Sequence, residues 1–338
     1  MQVSTSRGGA KGADMKVCLI GHFADGRDEG VRNVGKYLAN ELGRQGLETT
    51  MVNMRSVFHW QKIARTNPDI VHFILTPTTS GIIAAKLLSV FHCRAKVVIS
   101  AIHPAVPRIR ALKFFKPDLT LVQSNASDEL FSTIGFRTLM LPNGVDLNKF
   151  KPVSSDQKMQ LRRKYGIPDE AYIVLHLASL RKERNLGVCK KIQKEGPFRV
   201  LIVGRIGDKN DPTVMRALQD AGCLVWVEHF EHIEDIYNIA DCYLFPTKNK
   251  KACIETPLSV LEAMACNLPI ITTRFGALPE LFNEEYGFFF TESDEISLRR
   301  LRDLLDGNVP IATREMVLPY SWEHIAHQLR EIYVELLQ

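Results

Sequence analysis

The sequence predicts an α/β protein made of two doubly wound parallel sheets, and three observations support this class. Short apolar runs alternate with amphipathic stretches along the chain, as expected for parallel strands covered by helices on both faces. The alternation breaks over residues 142–152, where Pro, Asn-Gly and a second Pro occur, and then starts again. The length of 338 residues accommodates two domains of ordinary size.

We expect the first domain over residues 15–150. The polar, glycine-rich segment 1–14 before it is interpreted as a disordered leader or a tag. Strands are predicted from runs rich in Val, Ile and Leu: KVCLIG, TTMVNM, DIVHFIL, AKVVISAIH, LTLVQS and RTLMLP. A helix is predicted for NVGKYLANELGRQG, where two leucines four residues apart share a face and a glycine ends the pattern. Further helices are expected near 80–91 and 126–134.

We expect the second domain over residues 151–321. Its predicted strands are YIVLHLA, FRVLIVG, CLVWVE, CYLFP and LPIITT, with helices near 185–194, 213–221, 232–239 and 257–266. The last segment, SWEHIAHQLREIYVELLQ, predicts a long amphipathic helix over about 322–338. Ligands of doubly wound sheets bind beyond the carboxyl ends of the strands, so two such domains facing each other would enclose a cleft.

The composition is that of an ordinary globular protein, with 45% hydrophobic and 24% charged residues. No run of about 18 apolar residues is present, so no membrane-spanning helix is predicted. The seven cysteines form no C-x-x-C pair and mostly lie in apolar runs, which favours buried free thiols in a reducing cytosol over disulfides or a zinc site. Residues 15–150 carry a net charge of +7 and 151–338 one of −3, a split that allows an anionic partner without requiring one.

The segment TPLSVLEAMA predicts a helix that begins in an unusual way. Thr256 is suited to cap the helix and Pro257 to be its first residue. The backbone N–H groups of Leu258, Ser259 and Val260 would then be unpaired donors at the positive end of the helix. Such an end is a suitable place for a phosphate group.

Glu262 is a charged residue inside this otherwise apolar helix, on the same face as Leu258 and Ser259. A carboxylate beside a phosphate would repel it, so Glu262 should contact a neutral group one step further along the ligand. A ribose diol, which donates two hydrogen bonds to one carboxylate, meets that requirement. The alternative is a glutamate that pairs with a nearby arginine or reaches solvent.

The stretch ETPLSVLEAMACNLPIITTRFGALPEL, within 253–281, resembles the donor-site signature of the retaining glycosyltransferases with the GT-B fold, a family that includes sucrose synthase and bacterial mannosyl- and glucosyltransferases. LPNGVDLNKFKP is similar to the segment between the domains of that family, and SWEHIAHQLREIYVELL to its closing helix, which packs back toward the first domain. The resemblance extends from Met15 over nearly the whole chain. It implies two Rossmann-like domains around an interdomain cleft, and transfer of a sugar from a nucleotide-sugar to a hydroxyl acceptor with retention of the anomeric configuration.

The resemblance assigns roles to the residues of this helix. It implies that Glu262 binds the ribose and that the N–H groups of Leu258 and Ser259 hold the diphosphate. The family carries an earlier glutamate at the position of Ile254, so this chain departs from the pattern. Glu255, one residue later, is a candidate for contacting the donor sugar or for catalysis, and a solvated loop position is the alternative.

The family also places an arginine and a lysine on the diphosphate, in the segment LASLRKERNLGV. Arg184 aligns with the lysine, whereas Ser179 occupies the position of the arginine. A fixed cation there would stabilise the negative charge that develops on the leaving diphosphate. Arg181 and Lys182 are alternative cations, and solvation of both is the simpler interpretation.

The resemblance implies three further site residues. Gly30 lies in the loop HFADGRDEGVRNVG, which the family turns toward acceptor and diphosphate; an ordinary turn is the alternative. His103 ends a predicted strand and matches a histidine that contacts the transferred sugar, while His72 is interpreted as a core histidine. Main-chain groups near Phe230 would meet the nucleobase.

The segment RIRALKFFK, over 108–116, combines basic with apolar residues. It suits an anionic membrane surface or a lipid-linked acceptor, and the alternative is a basic amphipathic helix with its apolar side in the core. We expect a cytoplasmic enzyme, either free or in peripheral membrane contact, that acts on a polysaccharide, a glycolipid or a small molecule. No metal, cofactor or nucleic-acid partner is expected. The alternatives for the whole chain are a catalytically impaired nucleotide-sugar-binding protein and a sugar-nucleotide 2-epimerase.

Overall fold

The computed structural model divides into two units. The first consists of the described residues up to Asn143 together with Trp322–Gln338, and the second is Gly144–Ser321. The described residues are 15–21, 23, 29–53, 63, 65–75, 78–88, 95–103, 115–204, 206 and 210–338. The predicted leader 1–14 and most of the basic segment 108–116 lie outside them.

The first unit is built on one parallel sheet of six strands, in the order β2-β1-β3-β4-β5-β6. The strands are β1 (Lys16–Gly21), β2 (Glu48–Asn53), β3 (Ile70–Leu75), β4 (Lys96–Ala101), β5 (Leu119–Val122) and β6 (Thr138–Met140). All six were predicted, because each strand is buried enough to read as an apolar run. The helices after β1, β3 and β5 are α1 (Glu29–Arg44), α2 (Thr79–Leu88) and α3 (Asn125–Thr133). Helix α1 begins at Glu29, earlier than predicted, so Gly30 lies in its first turn and not in the preceding loop.

The second unit has a parallel sheet of six strands in the order β12-β11-β10-β7-β8-β9. The strands are β7 (Tyr172–Leu177), β8 (Phe198–Gly204), β9 (Leu224–Val227), β10 (Cys242–Phe245), β11 (Ile270–Thr272) and β12 (Phe288–Phe290). The sequence predicted the first five, and β12 was missed because its three residues are too few to show a period. The order of the strands reverses between β7 and β10, which are direct neighbours. Such a reversal is where doubly wound sheets bind ligands.

The helices of the second unit cover both faces of its sheet. They are α4 (Ser155–Lys164), α5 (Gly187–Glu195), α6 (Pro212–Gln219), α7 (Ile233–Asn238), α8 (Leu258–Ala265), α9 (Leu278–Leu281), α10 (Asp294–Leu305) and α11 (Thr313–Val317), with 3-10 turns at Lys182–Arg184 and Leu318–Tyr320. Helix α4 was not predicted, since it is mostly polar; a capping box between Ser154 and Gln157 begins it.

The last helix, α12 (Trp322–Leu337), belongs to the first unit although it follows the second in sequence. Trp322 stacks on Tyr37 of α1 with ring centroids 5.4 Å apart. Tyr333 Oη lies 2.6 Å from His72 Nδ1, and Ser100 Oγ lies 2.8 Å from its Nε2. Burial lowers the pKa of His72 to about 3, so the ring is neutral at ordinary pH. The interpretation of His72 as a core histidine is confirmed.

The chain enters and leaves the second unit at adjacent positions. Val145 forms a parallel bridge with Ser321, and its N–H donates to the Tyr320 carbonyl at 2.9 Å. Arg314 fixes the entering segment by donating to the carbonyl oxygens of Phe150 and Leu147, at 2.9 and 3.1 Å. The unit boundary after Asn143 therefore falls inside the Pro- and Gly-containing segment 142–152, ahead of position 150.

The described cysteines are free thiols, as predicted, and all except Cys253 are buried: Cys18, Cys189, Cys223, Cys242 and Cys266. Burial raises the pKa of Cys223 to about 11. Among the described helices, none has the length and apolar character needed to cross a membrane.

Candidate functional site

The candidate site lies in the second unit, beyond the carboxyl ends of β7 and β10. Two loops leave the sheet there, residues 178–186 after β7 and residues 246–257 after β10. Asn185 Nδ2 donates to the Pro246 carbonyl at 3.1 Å and so joins the two loops. Asn185 adopts a left-handed backbone (φ 57°) that ends the 3-10 turn carrying Arg184. The strand reversal and this loop contact together bring Arg184 toward the segment that begins α8.

Helix α8 begins one residue later than predicted. Pro257 is its N-cap, with extended backbone (ψ 119°), and Leu258 is its first residue. The prediction of Thr256 as N-cap was wrong, because Thr256 is fully buried ahead of the helix. The Val260 N–H was also expected to be unpaired, but it donates to the Pro257 carbonyl at 3.1 Å. The N–H groups of Leu258 and Ser259 precede this first hydrogen bond of the helix, so they remain the donors suited to an anion.

Glu262 lies one turn further along α8 and is partly exposed. Tyr237 Oη donates to its Oε2 at 2.6 Å, and no residue of the described chain donates to its Oε1. Burial raises the pKa of Glu262, while the hydrogen bond from Tyr237 and the positive charge of Lys149 act in the opposite direction. Of the two alternatives, an arginine partner is wrong, since the bonded partner is a tyrosine, whereas access to solvent agrees with the partial exposure of Glu262. The site therefore offers one free carboxylate oxygen to a neutral hydroxyl.

Glu255 is buried, with 3% of its surface exposed, so the alternative of a solvated loop glutamate is wrong. Its carbonyl accepts a hydrogen bond from the Ala277 N–H at 2.9 Å. Gly276 allows this close approach, since its φ is +53° and a Cβ there would lie 2.1 Å from the Glu255 carbonyl oxygen. Ile254, at the position where the family carries glutamate, is also buried. The loop after β11 thus holds Glu255 from its backbone side.

Arg184 carries a donor that an anion could use. Its Nε is buried and has no hydrogen-bond partner among the described residues. Its positive charge contributes to lowering the pKa of His176, which burial brings to about 4, and it opposes the rise that burial causes in the pKa of Tyr243. Tyr243 also interacts with the Ser259 side chain. Arg184 is therefore within electrostatic reach of the strand residue that contacts the start of α8.

Arg181 and Ser179 form a pair that the sequence did not predict. The Nε of Arg181 donates to Ser179 Oγ at 3.1 Å, and its Nη2 donates to the Ala252 carbonyl at 3.4 Å. Lys182 is exposed and lies 3.9 Å from Asp211. The simpler interpretation, solvation of both cations, therefore applies to Lys182, whereas Arg181 is held against the loop that leads to α8.

Phe230 lies in the loop that follows β9, at the same edge of the sheet. It is partly buried and packs against Tyr165 and Trp226, with ring centroids 6.3 and 6.0 Å away. Packing against these two rings holds Phe230 and the adjacent main chain in place. A planar nucleobase beside Phe230 remains a prediction.

Two candidates belong to the first unit. His103 is partly buried, two residues beyond the carboxyl end of β4. Gly30 lies in the first turn of α1. Their roles remain predictions. In the described ranges no group of three or more His, Cys, Asp or Glu side chains could hold a metal ion.

Tyr237 is the site residue that sequence reasoning missed. It is fully buried in the short helix α7, ahead of β10. Its sequence neighbours, DIYNIAD, show only an apolar face that suits the core. A buried tyrosine needs a hydrogen-bond partner for its hydroxyl, and Glu262 is a carboxylate in an otherwise apolar helix. The need of both side chains for a polar partner was the signal in the sequence that could have identified Tyr237.

Comparisons with known proteins show which sequences and structures the chain resembles. Residues 180–306 match the family model described as glycosyl transferases group 1. Sulfoquinovosyl transferase SQD2 of Arabidopsis thaliana is 26% identical over 300 residues, covering 80% of this chain and 57% of that protein. Alpha-monoglucosyldiacylglycerol synthase of Acholeplasma laidlawii is 28% identical over 221 residues, covering 59% of this chain and 52% of that protein. The chain spans about half the length of the curated relatives it matches.

Solved structures share the fold at low identity. HepE of Anabaena in complex with UDP has a TM-score of 0.75 at 16% identity, covering 95% of this chain and 100% of that chain. Sucrose-phosphate synthase of Thermosynechococcus elongatus has a TM-score of 0.74 at 17% identity, covering 95% and 99%. Residues 180–306 are thus similar to the group 1 glycosyltransferases, and the chain shares the GT-B fold of two Rossmann-like units with the solved structures.

Proposed function

We propose that this chain is a metal-independent glycosyltransferase that moves a sugar from a nucleotide-sugar donor to a hydroxyl acceptor, with retention of the anomeric configuration. The observation that carries the proposal is the grouping of α8 and Arg184 at the strand reversal of the second unit. There, two N–H groups at a helix start, one buried guanidinium nitrogen without a partner and one free carboxylate oxygen occur together. These groups match a diphosphate followed by a ribose.

The chemistry of the site follows from where charge develops. When the bond between the sugar and the diphosphate breaks, negative charge appears on the terminal phosphate oxygen. The helix start at Leu258 and Ser259 and the guanidinium of Arg184 would stabilise that charge without reorganisation. Glu255 is assigned to the donor sugar, and Phe230 marks the main chain assigned to the base.

We assign the acceptor to the first unit, which carries His103 beyond the carboxyl end of β4. The class of acceptor is proposed from the relatives, because two of them bear the names of lipid glycosylation enzymes: the alpha-monoglucosyldiacylglycerol synthase and a monoacylated phosphatidylinositol monomannoside mannosyltransferase of Corynebacterium glutamicum. A lipid-linked hydroxyl acceptor, reached by peripheral contact with a membrane, is consistent with the net charge of +7 over residues 15–150. Polysaccharide or small-molecule acceptors are the other outcomes of an acceptor screen.

A second candidate is a nucleotide-sugar-binding protein without transfer activity. Two observations favour it: Ile254 stands where the family carries its first glutamate, and Ser179 stands where it carries an arginine. Binding would then persist through α8 and Arg184 while the donor bond stays intact.

The test measures nucleotide release from UDP-, GDP- and ADP-sugars in the presence of diacylglycerol, glycolipid, polysaccharide and small-alcohol acceptors. We expect acceptor-dependent release with one donor class, and a product with the same anomeric configuration as the donor. Donor binding without release under any acceptor would select the second candidate. Absence of binding to all three nucleotides by calorimetry would contradict both.

The matched variants are Glu262→Ala in the site and Glu335→Ala on the exposed end of α12. We expect Glu262→Ala to weaken nucleotide binding by about 10-fold or more, since a hydrogen bond to a charged group contributes about 1.5–3 kcal/mol. Glu335→Ala should bind as the unchanged protein does. Unchanged affinity of Glu262→Ala would show that the ribose assignment is wrong.

A further inference from the structure

Tyr237 and Glu262 form a hydrogen-bonded pair from two different helices of the second unit. The Tyr237 hydroxyl donates to Oε2 of Glu262 at 2.6 Å. This is a short hydrogen bond, as is typical of an ionised carboxylate acceptor. Tyr237 is fully buried, whereas Glu262 is partly exposed. The tyrosine therefore approaches the carboxylate from the core and leaves its outer side accessible.

The position of the tyrosine ring is fixed by its neighbours and not by Glu262. Phe150 meets the ring edge-on, with centroids 5.7 Å apart at 87°. Tyr243 packs beside it at 5.9 Å and 44°. Phe150 itself belongs to the segment that Arg314 holds through its carbonyl oxygen. A ring held between two aromatic rings presents its hydroxyl in one place, which is a requirement for orienting a second group.

The groups that face Glu262 come from four elements. Tyr237 lies on α7, Tyr243 on β10, Lys149 on the entering segment and Cys266 at the end of α8. Burial raises the pKa of the Glu262 carboxyl, and the Tyr237 hydrogen bond and the Lys149 charge oppose that rise. Lys149 is 3.7 Å from Glu234, so part of its charge is shared with another carboxylate. Tyr237 is thus the only one of these groups that donates a hydrogen bond to Glu262 within the described chain.

We propose that Tyr237 is a positioning residue of the donor site, which holds Oε2 of Glu262 so that Oε1 accepts one hydroxyl of the ligand ribose. The inference rests on the proposed function, since it deepens the role given to Glu262. It gives the two carboxylate oxygens different roles, a distinction that the sequence-based expectation of a diol bound to one carboxylate did not make. Oε2 is oriented by the protein and Oε1 is available to the ligand, so we expect the ribose hydroxyl that reaches Oε1 to contribute most to recognition.

The test couples a change in the protein to a change in the ligand. Affinities of UDP, GDP and ADP, and of their 2′-deoxy and 3′-deoxy forms, are measured by calorimetry with the unchanged protein and with Tyr237→Phe. In the unchanged protein we expect loss of one of the two hydroxyls to weaken binding by about 10-fold. In Tyr237→Phe the ribonucleotide should bind about 10-fold more weakly, and loss of that hydroxyl should have little further effect. A structural role alone would weaken all forms alike and keep their ratio.

Tyr172→Phe is the matched control, because Tyr172 starts β7 at the opposite end of the strand from the site and packs on Phe198. It should leave both affinity and ratio unchanged. Glu262→Ala separates a failure of the proposed function from a failure of the positioning role of Tyr237. If Glu262→Ala binds normally, the proposed function is wrong in its ribose assignment; if Glu262→Ala is weakened but Tyr237→Phe keeps the original ratio, the positioning role is overturned.

A second measurement covers the case in which Tyr237→Phe does not fold. Incorporation of 3-fluorotyrosine at position 237 keeps the ring and hydroxyl while making the hydroxyl a stronger donor. A stronger donor favours the ionised form of Glu262, so the pH at which nucleotide affinity falls on acidification should move lower. A midpoint identical to that of the unchanged protein would overturn the inference.

Discussion

At the scale of single residues, Glu262 combines a requirement of the site with a cost to the fold. Burial raises its pKa, against the opposing effects of Tyr237 and Lys149. A carboxyl whose pKa is raised on folding stabilises the fold below its ordinary pKa, and this contribution is lost as the pH rises through the raised value. With Glu262 ionised, the folded protein without ligand is therefore less stable than it would be with a neutral side chain of the same shape at this position.

We predict that Glu262→Gln unfolds at a higher temperature than the unchanged protein at neutral pH. The advantage should shrink as the pH falls through the raised pKa of Glu262 and vanish below the ordinary glutamate pKa, where both side chains are neutral. Nucleotide affinity should decrease in the same variant, as expected when a functional group is retained at the expense of stability. Thermal unfolding over a series of pH values measures this, with Glu335→Gln as the exposed control. Equal unfolding temperatures at all pH values would contradict the burial argument.

Arg184 gives a second prediction at this scale. Its Nε lacks a partner among the described residues, so Arg184→Ala should remove a contact to the ligand and little from the fold. We expect UDP, GDP or ADP to bind about 10-fold more weakly, and the monophosphates to lose less, since the second phosphate is the group assigned to Arg184. Arg299→Ala, on the exposed side of α10, is the control. Equal losses for mono- and diphosphates would place Arg184 elsewhere on the ligand.

At the scale of elements, the loop after β11 determines where Glu255 lies. Gly276 has φ +53°, and a Cβ there would meet the Glu255 carbonyl oxygen at 2.1 Å. We predict that Gly276→Ala destabilises the protein by at least about 2 kcal/mol, from backbone strain and from displacement of the Glu255 loop. Gly166→Ala is matched in backbone, with φ +66°, but has open space around it. It should cost only about 1 kcal/mol.

Urea denaturation of the two alanine variants separates these effects, because the strain is common to both and the clash to one. Donor binding should also fall in Gly276→Ala and stay unchanged in Gly166→Ala. Similar destabilisation of both variants would show that the contact with Glu255 does not hold this loop.

The elements that were predicted well from the sequence are those whose apolar composition reflects their burial. All strands of the first sheet were predicted from apolar runs, and the segment of α8 from its Thr-Pro start. The exact start of α8 was missed because Thr256 is buried, which local propensity does not encode. Strand β12 was missed because three phenylalanines carry no period. Tertiary packing decided each of these cases.

The candidate site was predictable to the extent that the groups assigned to bind the nucleotide come from one continuous segment. Glu262 and the N–H groups of Leu258 and Ser259 lie within five residues of one another. The Tyr237 hydrogen bond and the contact of Arg181 with Ala252 join residues 25 and 71 positions apart. Such pairs depend on sheet order, which periodicity does not reveal.

At the scale of the whole molecule, the first unit is completed by the end of the chain. Helix α12 supplies Trp322 against Tyr37 and Tyr333 to His72. We predict that truncation after Ser321 lowers the unfolding temperature of the first unit, since apolar surface of α1 is exposed and His72 Nδ1 loses its partner. Thermal unfolding followed by near-UV circular dichroism measures this, and a peptide of residues 322–338 added in excess should restore part of the loss. An unchanged unfolding profile would contradict the role of α12.

The most direct test of the central claim is a crystal structure of the protein with bound UDP, GDP or ADP. We expect the diphosphate within hydrogen-bond distance of the Leu258 and Ser259 N–H groups and of Arg184, and one ribose hydroxyl at Oε1 of Glu262. A nucleotide bound away from the start of α8, or bound there with its ribose turned from Glu262, would contradict the claim.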